Sequence, residues 1–289
     1  MRTMEKGIKT ITTYCGDDER EISLFAFTEP VRVGQRSKKK KVSAPKQKNL
    51  NDQNARRYFR QLVKTNFRKG DYHLVLTYDP ENLPEEIERA EQLVKNYLRR
   101  VNRWRSSTNL SAMKYIYITE QSSTGRIHHH LLVSGDMDRQ QLEEMWKLGY
   151  ANADKLRPTK KGLANIIAYL AKDPKGRKRW HPSRNLRKPE YTVSYTKTSI
   201  AKYEQLSLWP EDSEATKTYC EKQNKGFELT EFVKKFNQVT GTWYMYAMMR
   251  RIGADNDIAQ TPSKGRPDNL AATQRLLDGY SAAHPPRRI

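Results

Sequence analysis

The sequence predicts an α+β domain built on an antiparallel sheet, and three observations predict it. Short segments of strand composition alternate with segments whose apolar residues recur at helical spacing. Two of the strand-like segments, Lys114 to Glu120 and Ile127 to Ser134, follow one another across a short turn, as hairpin partners do. The resulting order of helix, strand, helix, paired strands, helix, strand, helix is that of an α+β sheet protein with flanking helices.

Taken in order, residues 1–30 hold two β-like pieces, Ile8 to Tyr14 and Glu21 to Phe27, around the turn signal Gly16-Asp17-Asp18, and read as a hairpin. From Val31 to Lys48 the bases Arg32, Arg36, Lys38, Lys39, Lys40, Lys41, Lys46 and Lys48 occur without an acidic residue, interrupted by Gly34 and Pro45. That composition reads as a flexible basic linker. Asn49 or Asn51 caps a helix running to about Phe67, with Ala55, Tyr58, Phe59 and Leu62 on one face. His73 to Tyr78 has strand composition and is stopped by Asp79-Pro80. A second helix, Pro84 to Arg105, carries the apolar stripe Ile87, Ala90, Leu93, Val94, Tyr97, Leu98 and Val101. After the hairpin, Asp138 caps a helix from Arg139 to Leu148 that Gly149 ends, Tyr150 to Arg157 forms a short strand or loop, and Leu163 to Lys172 is a helix closed by Asp173-Pro174. Farther on, Ser213 caps Glu214 to Gln223, and Thr230 to Asn237 and Trp243 to Arg251 read as helices, giving a helical C-terminal extension. The expected division is therefore 1–48 for hairpin and linker, 49–200 for the main domain, 201–252 for the helical extension, and 253–289 for a polar, proline-bearing tail that reads as disordered.

Charge points to the kind of partner. Lysine and arginine number 54 against 33 acidic residues in 289, a formal net charge of +21, with a pI near 9.8 and a mean hydropathy of -0.94. Nucleic-acid phosphate is the commonest cellular polyanion able to match such an excess; the alternative is a protein that is merely basic. Cys15 and Cys220, far apart and outside any CxxC, exclude a disulfide framework and a cysteine-ligated zinc site, which suits a reducing compartment. No apolar run approaches the roughly 20 residues of a membrane-spanning helix, and no signal-peptide core is present, so no membrane partner is expected.

His128, His129 and His130 make up half of the six histidines. On a strand, alternate side chains share a face, so His128 and His130 point one way and His129 the other. Glu120, at the end of the preceding strand, adds a carboxylate oxygen if Gln121 to Arg126 turns back. Two imidazoles and a carboxylate suit a divalent cation such as Mn²⁺ or Mg²⁺, and zinc would bind too. For a single histidine, cover of a strand would be the simpler reading. Making His129 a ligand is the alternative register; His128 and His130 are preferred because Ile127, Leu131 and Val133 then share the packed face.

Tyr169 and Lys172 lie three apart on the helix Leu163 to Lys172, at the edge of the stripe Leu163, Ile166, Ile167 and Leu170. A phenol is a poor nucleophile near neutral pH unless a cation stabilises its phenolate. Taken alone, a Tyr-x-x-Lys pair on an amphipathic helix reads as packing. Combined with the histidines, it points to attack by Tyr169 on a phosphate ester, with charge offset by Lys172 and by a metal at Glu120, His128 and His130. Lys175, Arg177, Lys178, Arg179 and Arg184, with Trp180 among them, combine charge for phosphates with a ring for base stacking, as a single-strand groove requires. A solvated basic loop without a ligand is the alternative.

Three segments in fixed order carry a family resemblance: Leu74-Val75-Leu76-Thr77-Tyr78-Asp79, then Glu120 leading into Arg126-Ile127-His128-His129-His130-Leu131-Leu132, then Tyr169-Leu170-Ala171-Lys172-Asp173. Over about 49–200 the chain resembles the rolling-circle replication initiators of the HUH endonucleases, and is most similar to replication-associated proteins of phages and mobile elements related to the filamentous-phage gene II protein. The resemblance implies an HUH, ferredoxin-like or RRM-like sheet and nicking of one strand at an origin. It further implies a 5′-phosphotyrosyl intermediate on Tyr169 and a free 3′ hydroxyl that primes synthesis. Single-stranded origin DNA is the implied substrate, with a host helicase and polymerase as partners because no GxxxxGK[ST] loop is present, in the cytoplasm of a bacterial host cell. His129 departs from the family pattern, which prefers an apolar residue there. Two other readings remain: a single-tyrosine HUH transposase using the same site, and a non-catalytic nucleic-acid-binding module in which Tyr169 only packs or stacks.

Overall fold

The computed structural model describes residues 6–28, 45–122, 125–159, 161–171, 179–238 and 241–254. In chain order the elements are β1 (Lys6–Cys15), β2 (Glu19–Thr28), α1 (Pro45–Asn66), β3 (Tyr72–Leu76), α2 (Ile87–Ser107), β4 (Tyr115–Gln121), β5 (Ile127–Val133), α3 (Arg139–Glu144), β6 (Ala151–Lys155), α4 (Ala164–Leu170), β7 (His181–Pro182), β8 (Glu190–Ser194), α5 (Ile200–Leu208), α6 (Glu214–Gln223), β9 (Phe227–Asn237) and β10 (Thr242–Arg251). The fold is α+β. It divides into two compact units, one containing the described residues up to Thr65 and from Lys188 on, the other Asn66–Arg187. Of the basic stretch 31–48, residues 31–44 lie outside the described residues, as do 255–289 of the tail.

The second unit holds a five-stranded antiparallel sheet in the order β6-β3-β5-β4-β7. Every residue of β3 and of β5 is buried, so both faces of these central strands are covered, the three consecutive histidines of β5 included. One face is covered by α2, whose buried Ile87, Ala90, Val94, Tyr97, Leu98 and Val101 form the expected stripe. These pack with Leu74, Leu76, Tyr117, Ile127, Leu131 and Val133, each buried side chain of this size contributing about 1.5–3 kcal/mol relative to exposure. Trp146, just after α3, belongs to the same cluster and donates its indole N–H to the Thr77 carbonyl at 2.6 Å. The Asp138 carboxylate accepts from the amides of Gln140 and Gln141, capping α3 as expected. In α4, Ile166, Ile167 and Leu170 are buried together with the preceding Leu163. Gly149 adopts φ 150°, and a Cβ there would sit 2.5 Å from the Asp79 amide nitrogen, so only glycine lets the chain enter β6 so close to the end of β3.

The first unit holds the other five-stranded antiparallel sheet, ordered β8-β1-β2-β10-β9. The expected N-terminal hairpin is β1 and β2, in continuous register from Lys6↔Thr28 to Cys15↔Glu19. Its core joins Ile8, Ile22 and Leu24 to Phe232, Met245, Ala247 and Met249, with Tyr203 and Leu206 of α5 and Cys220 of α6. Most of α1 and all of β8 fall within the span 49–200, yet β8 and α1 up to Thr65 belong to this unit.

The helical C-terminal extension requires correction. The helix Glu214–Gln223 is present, capped by Ser213, but Thr230–Asn237 and Trp243–Arg251, read as helices, are the paired strands β9 and β10. Lys, Met and Ala favour helix locally, yet Met245, Ala247 and Met249 bury on one face of a strand, and the sheet partner β2 makes that arrangement the better packed one. The helix α5, with Ser199 accepting from the Lys202 amide, went unread in the sequence.

Candidate functional site

The β4–β5 pairing builds the site. Its register sets Glu120 opposite His128 and Ile118 opposite His130, so the carboxylate and both imidazoles share one face of the sheet. His128 Nε2 lies 3.8 Å and His130 Nε2 3.9 Å from Glu120 Oε2. One donor atom from each of the three residues lies within 4.8 Å of the others. His130 is fully buried while the Glu120 side chain is 23 % exposed, leaving the cluster open on its carboxylate side. Donors sharing one cation at about 2.0–2.2 Å stand up to roughly 4.4 Å apart, so the two imidazole-to-carboxylate distances fit a single divalent ion of borderline hardness.

His129 belongs to the opposite face. Its Nε2 is 2.7 Å from the Tyr78 hydroxyl and its Nδ1 is 3.0 Å from Thr119 Oγ1, so both ring nitrogens are engaged inside the packed cluster. Burial, with His128 nearby, pushes its pKa down to about 3. A fully buried, neutral imidazole with both ring nitrogens engaged is a core residue, on the face opposite His128 and His130.

Tyr169, near the C-terminal end of α4, brings its hydroxyl to 3.3 Å from His130 Nε2. The tyrosine ring meets the His130 ring at 88° with centres 5.2 Å apart. The phenol oxygen therefore sits at the same nitrogen that faces Glu120. A third imidazole, His73 of β3, lies behind His130, with its Nε2 3.2 Å from His130 Nδ1. Burial pushes the His73 pKa down to about 4, with the Asp154 carboxylate acting in the other direction. Sequence reasoning placed His73 on a strand without assigning it a role; the β3–β5 register that sets it opposite Leu132 is a long-range property that no local pattern carries.

Lys172, Lys175, Arg177 and Lys178 lie outside the described residues. Arg179 and Trp180 are half-buried and Arg184 is exposed. They flank β7, the edge strand paired to β4, with Ile116 opposite Pro182 and Tyr117 opposite His181. Tyr191 and Tyr195, 68 % and 53 % exposed, belong to the first unit.

Residues 71–174 match the family model of the replication-associated proteins of the ORF2 and phage gene II type. The matched segment runs from the residue before β3 to just beyond α4, and contains every element that contributes to the histidine, glutamate and tyrosine cluster. Comparison with curated proteins and with solved structures returns no match. Among the described residues, no helix is long and apolar enough to cross a membrane.

Proposed function

From the relationship of residues 71–174 to the family of ORF2 and gene II replication-associated proteins, a rolling-circle type of replication protein, we propose that this chain nicks one DNA strand at an origin by attack of Tyr169 on a phosphodiester. The observation that carries the reading is the 3.3 Å approach of the Tyr169 hydroxyl to His130, a member of the only group of three potential metal ligands among the described residues. Glu120, His128 and His130 would hold a divalent cation, Mg²⁺ or Mn²⁺, which supplies Lewis-acid charge to a phosphate oxygen. Tyr169 forms the new O–P bond as the bond from phosphorus to the 3′ oxygen breaks. The phenol proton is lost, the departing 3′ oxygen takes up a proton, and the 5′ phosphate stays on the tyrosine.

This intermediate retains the energy of the broken ester, so the same tyrosine can later pass the strand to a free 3′ hydroxyl. Lys172 would lower the cost of the phenolate, and Lys175, Arg177, Lys178, Arg179, Trp180 and Arg184 would hold single-stranded DNA by charge and stacking. The site acts on unpaired DNA, with strand opening and synthesis left to a host helicase and polymerase in the bacterial cytoplasm. Incubation with Mn²⁺ and single-stranded origin DNA is expected to give a covalent protein–DNA adduct that survives denaturation, and Tyr169→Phe is expected to lose it. An undiminished adduct in that variant would exclude Tyr169 as nucleophile. Salt-sensitive binding without any adduct would leave a nucleic-acid-binding module instead.

A further inference from the structure

We propose that His73 is a positioning residue for His130: it accepts the Nδ1 proton of that ring, fixing its orientation and leaving the Nε2 lone pair aimed at the metal position. This rests on the metal reading above. The His73 and His130 ring planes are 17° from parallel with centres 5.4 Å apart, whereas Nε2 of His73 and Nδ1 of His130 are 3.2 Å apart. The rings therefore meet edge to edge, nitrogen toward nitrogen, in hydrogen-bonding geometry. His130 turns its other nitrogen toward Glu120 Oε2 at 3.9 Å and toward the Tyr169 hydroxyl at 3.3 Å.

A neutral imidazole has one N–H and one lone pair, so the choice of proton at one nitrogen decides whether the other can ligate. If His73 donated to His130, the proton of His130 would stand on Nε2 and close that atom to a cation. If His73 accepts, Nε2 is open, and in the absence of a cation it can receive the Tyr169 O–H. His130 is fully buried and His73 is 6 % exposed, so a proton on His130 Nδ1 needs a protein acceptor. A neighbour that fixes the tautomer and the ring angle of a ligating histidine typically contributes 10- to 100-fold in metal affinity. A neutral ring in that place adds no negative charge, so a divalent cation held by one carboxylate keeps positive charge to offer a phosphate.

The test uses the full chain without DNA and measures Mn²⁺ affinity by calorimetry. His73→Phe, which keeps a ring but removes the acceptor, is expected to weaken Mn²⁺ binding about 10- to 100-fold. His73→Gln, whose amide oxygen can accept at nearly the same place, is expected to recover most of the loss. On the wild-type protein loaded with Zn²⁺ as a diamagnetic probe, imidazole nitrogen NMR is expected to place the metal on His130 Nε2 and a slowly exchanging proton on Nδ1. This reading stands even if the phenylalanine variant does not fold. A wild-type protein that binds Mn²⁺, with equal binding by a folded His73→Phe or with the metal on His130 Nδ1, overturns the role of His73 alone. A wild-type protein that binds neither Mn²⁺ nor Zn²⁺ overturns the metal reading together with this one.

Discussion

Each unit buries ionisable groups against a five-stranded antiparallel sheet, and the two use them in opposite ways. In the first unit the Glu21 carboxylate, 1 % exposed, accepts from Arg60 Nε at 2.8 Å, from Gln61 Nε2 at 2.8 Å and from the Tyr246 hydroxyl, while Lys64 pairs with Glu19. Burial alone would raise the Glu21 carboxyl, but the Arg60 guanidinium and its hydrogen bond, with Lys64 and Tyr246, hold it below the usual carboxylate range. In the second unit, Glu120, His128 and His130 bring together atoms that all offer lone pairs. The first cluster contains both signs of charge and is complete without a ligand. The second gains most from an added cation. The balance of donors and acceptors in a buried cluster, rather than burial itself, thus separates a structural staple from a site.

The largest effect expected from breaking this contrast is chemical. Replacing both His128 and His130 with alanine should reduce Mn²⁺-dependent adduct formation about 1000-fold or more, while much of the salt-dependent affinity for single-stranded DNA survives. Unchanged adduct yield in that variant would contradict the metal assignment. On the other sheet, Glu21→Ala should cost about 3–5 kcal/mol of stability, because the Arg60 guanidinium would remain without its carboxylate. Urea unfolding followed through Trp243, on β10, measures this, and a loss below about 1 kcal/mol would mean that the cluster is already solvated.

Acid should separate the two sheets next. Glu21 has a depressed pKa, so its stabilisation is present above the unfolded carboxylate value near 4.3 and is lost as pH falls through its folded value. His73 and His129 titrate in the fold at about 4 and about 3, against about 6.5 when unfolded. Between those limits the unfolded chain binds the extra protons, so stability of the metal-free second unit falls as pH drops, by up to about 1.4 kcal/mol per pH unit for each ring. Amide hydrogen exchange from pH 7 to pH 4 should show β3 and β5 losing protection before β2 and β10. The reverse order would contradict the neutral assignment of the buried histidines. The smallest effect expected is that of Asp138→Ala, about 1 kcal/mol from loss of the α3 cap, read in the same exchange experiment.

How much was legible in advance follows from how local each feature is. Glu120, His128 and His130 sit on two strands joined by one turn, so a period of two and a hairpin suffice to gather them. The stripe of Leu163, Ile166, Ile167 and Leu170 likewise announced the helix that carries Tyr169, although its approach to His130 depends on how α4 lies over the sheet. His73 was invisible as a partner because its meeting with His130 depends on the register of β3 against β5, strands whose contact residues stand 57 positions apart. The C-terminal hairpin misled for a related reason. Met245, Ala247 and Met249 are indifferent or helix-favouring residues, and β2 as a neighbour, more than 200 residues earlier, decides their conformation.

The most direct test of the Tyr169 assignment is to digest the covalent adduct with protease and nuclease and locate the retained nucleotide by mass spectrometry. It should be found on the peptide containing Tyr169, linked through a 5′ phosphate. A nucleotide on Tyr191, Tyr195 or any other residue would contradict Tyr169 as the nucleophile.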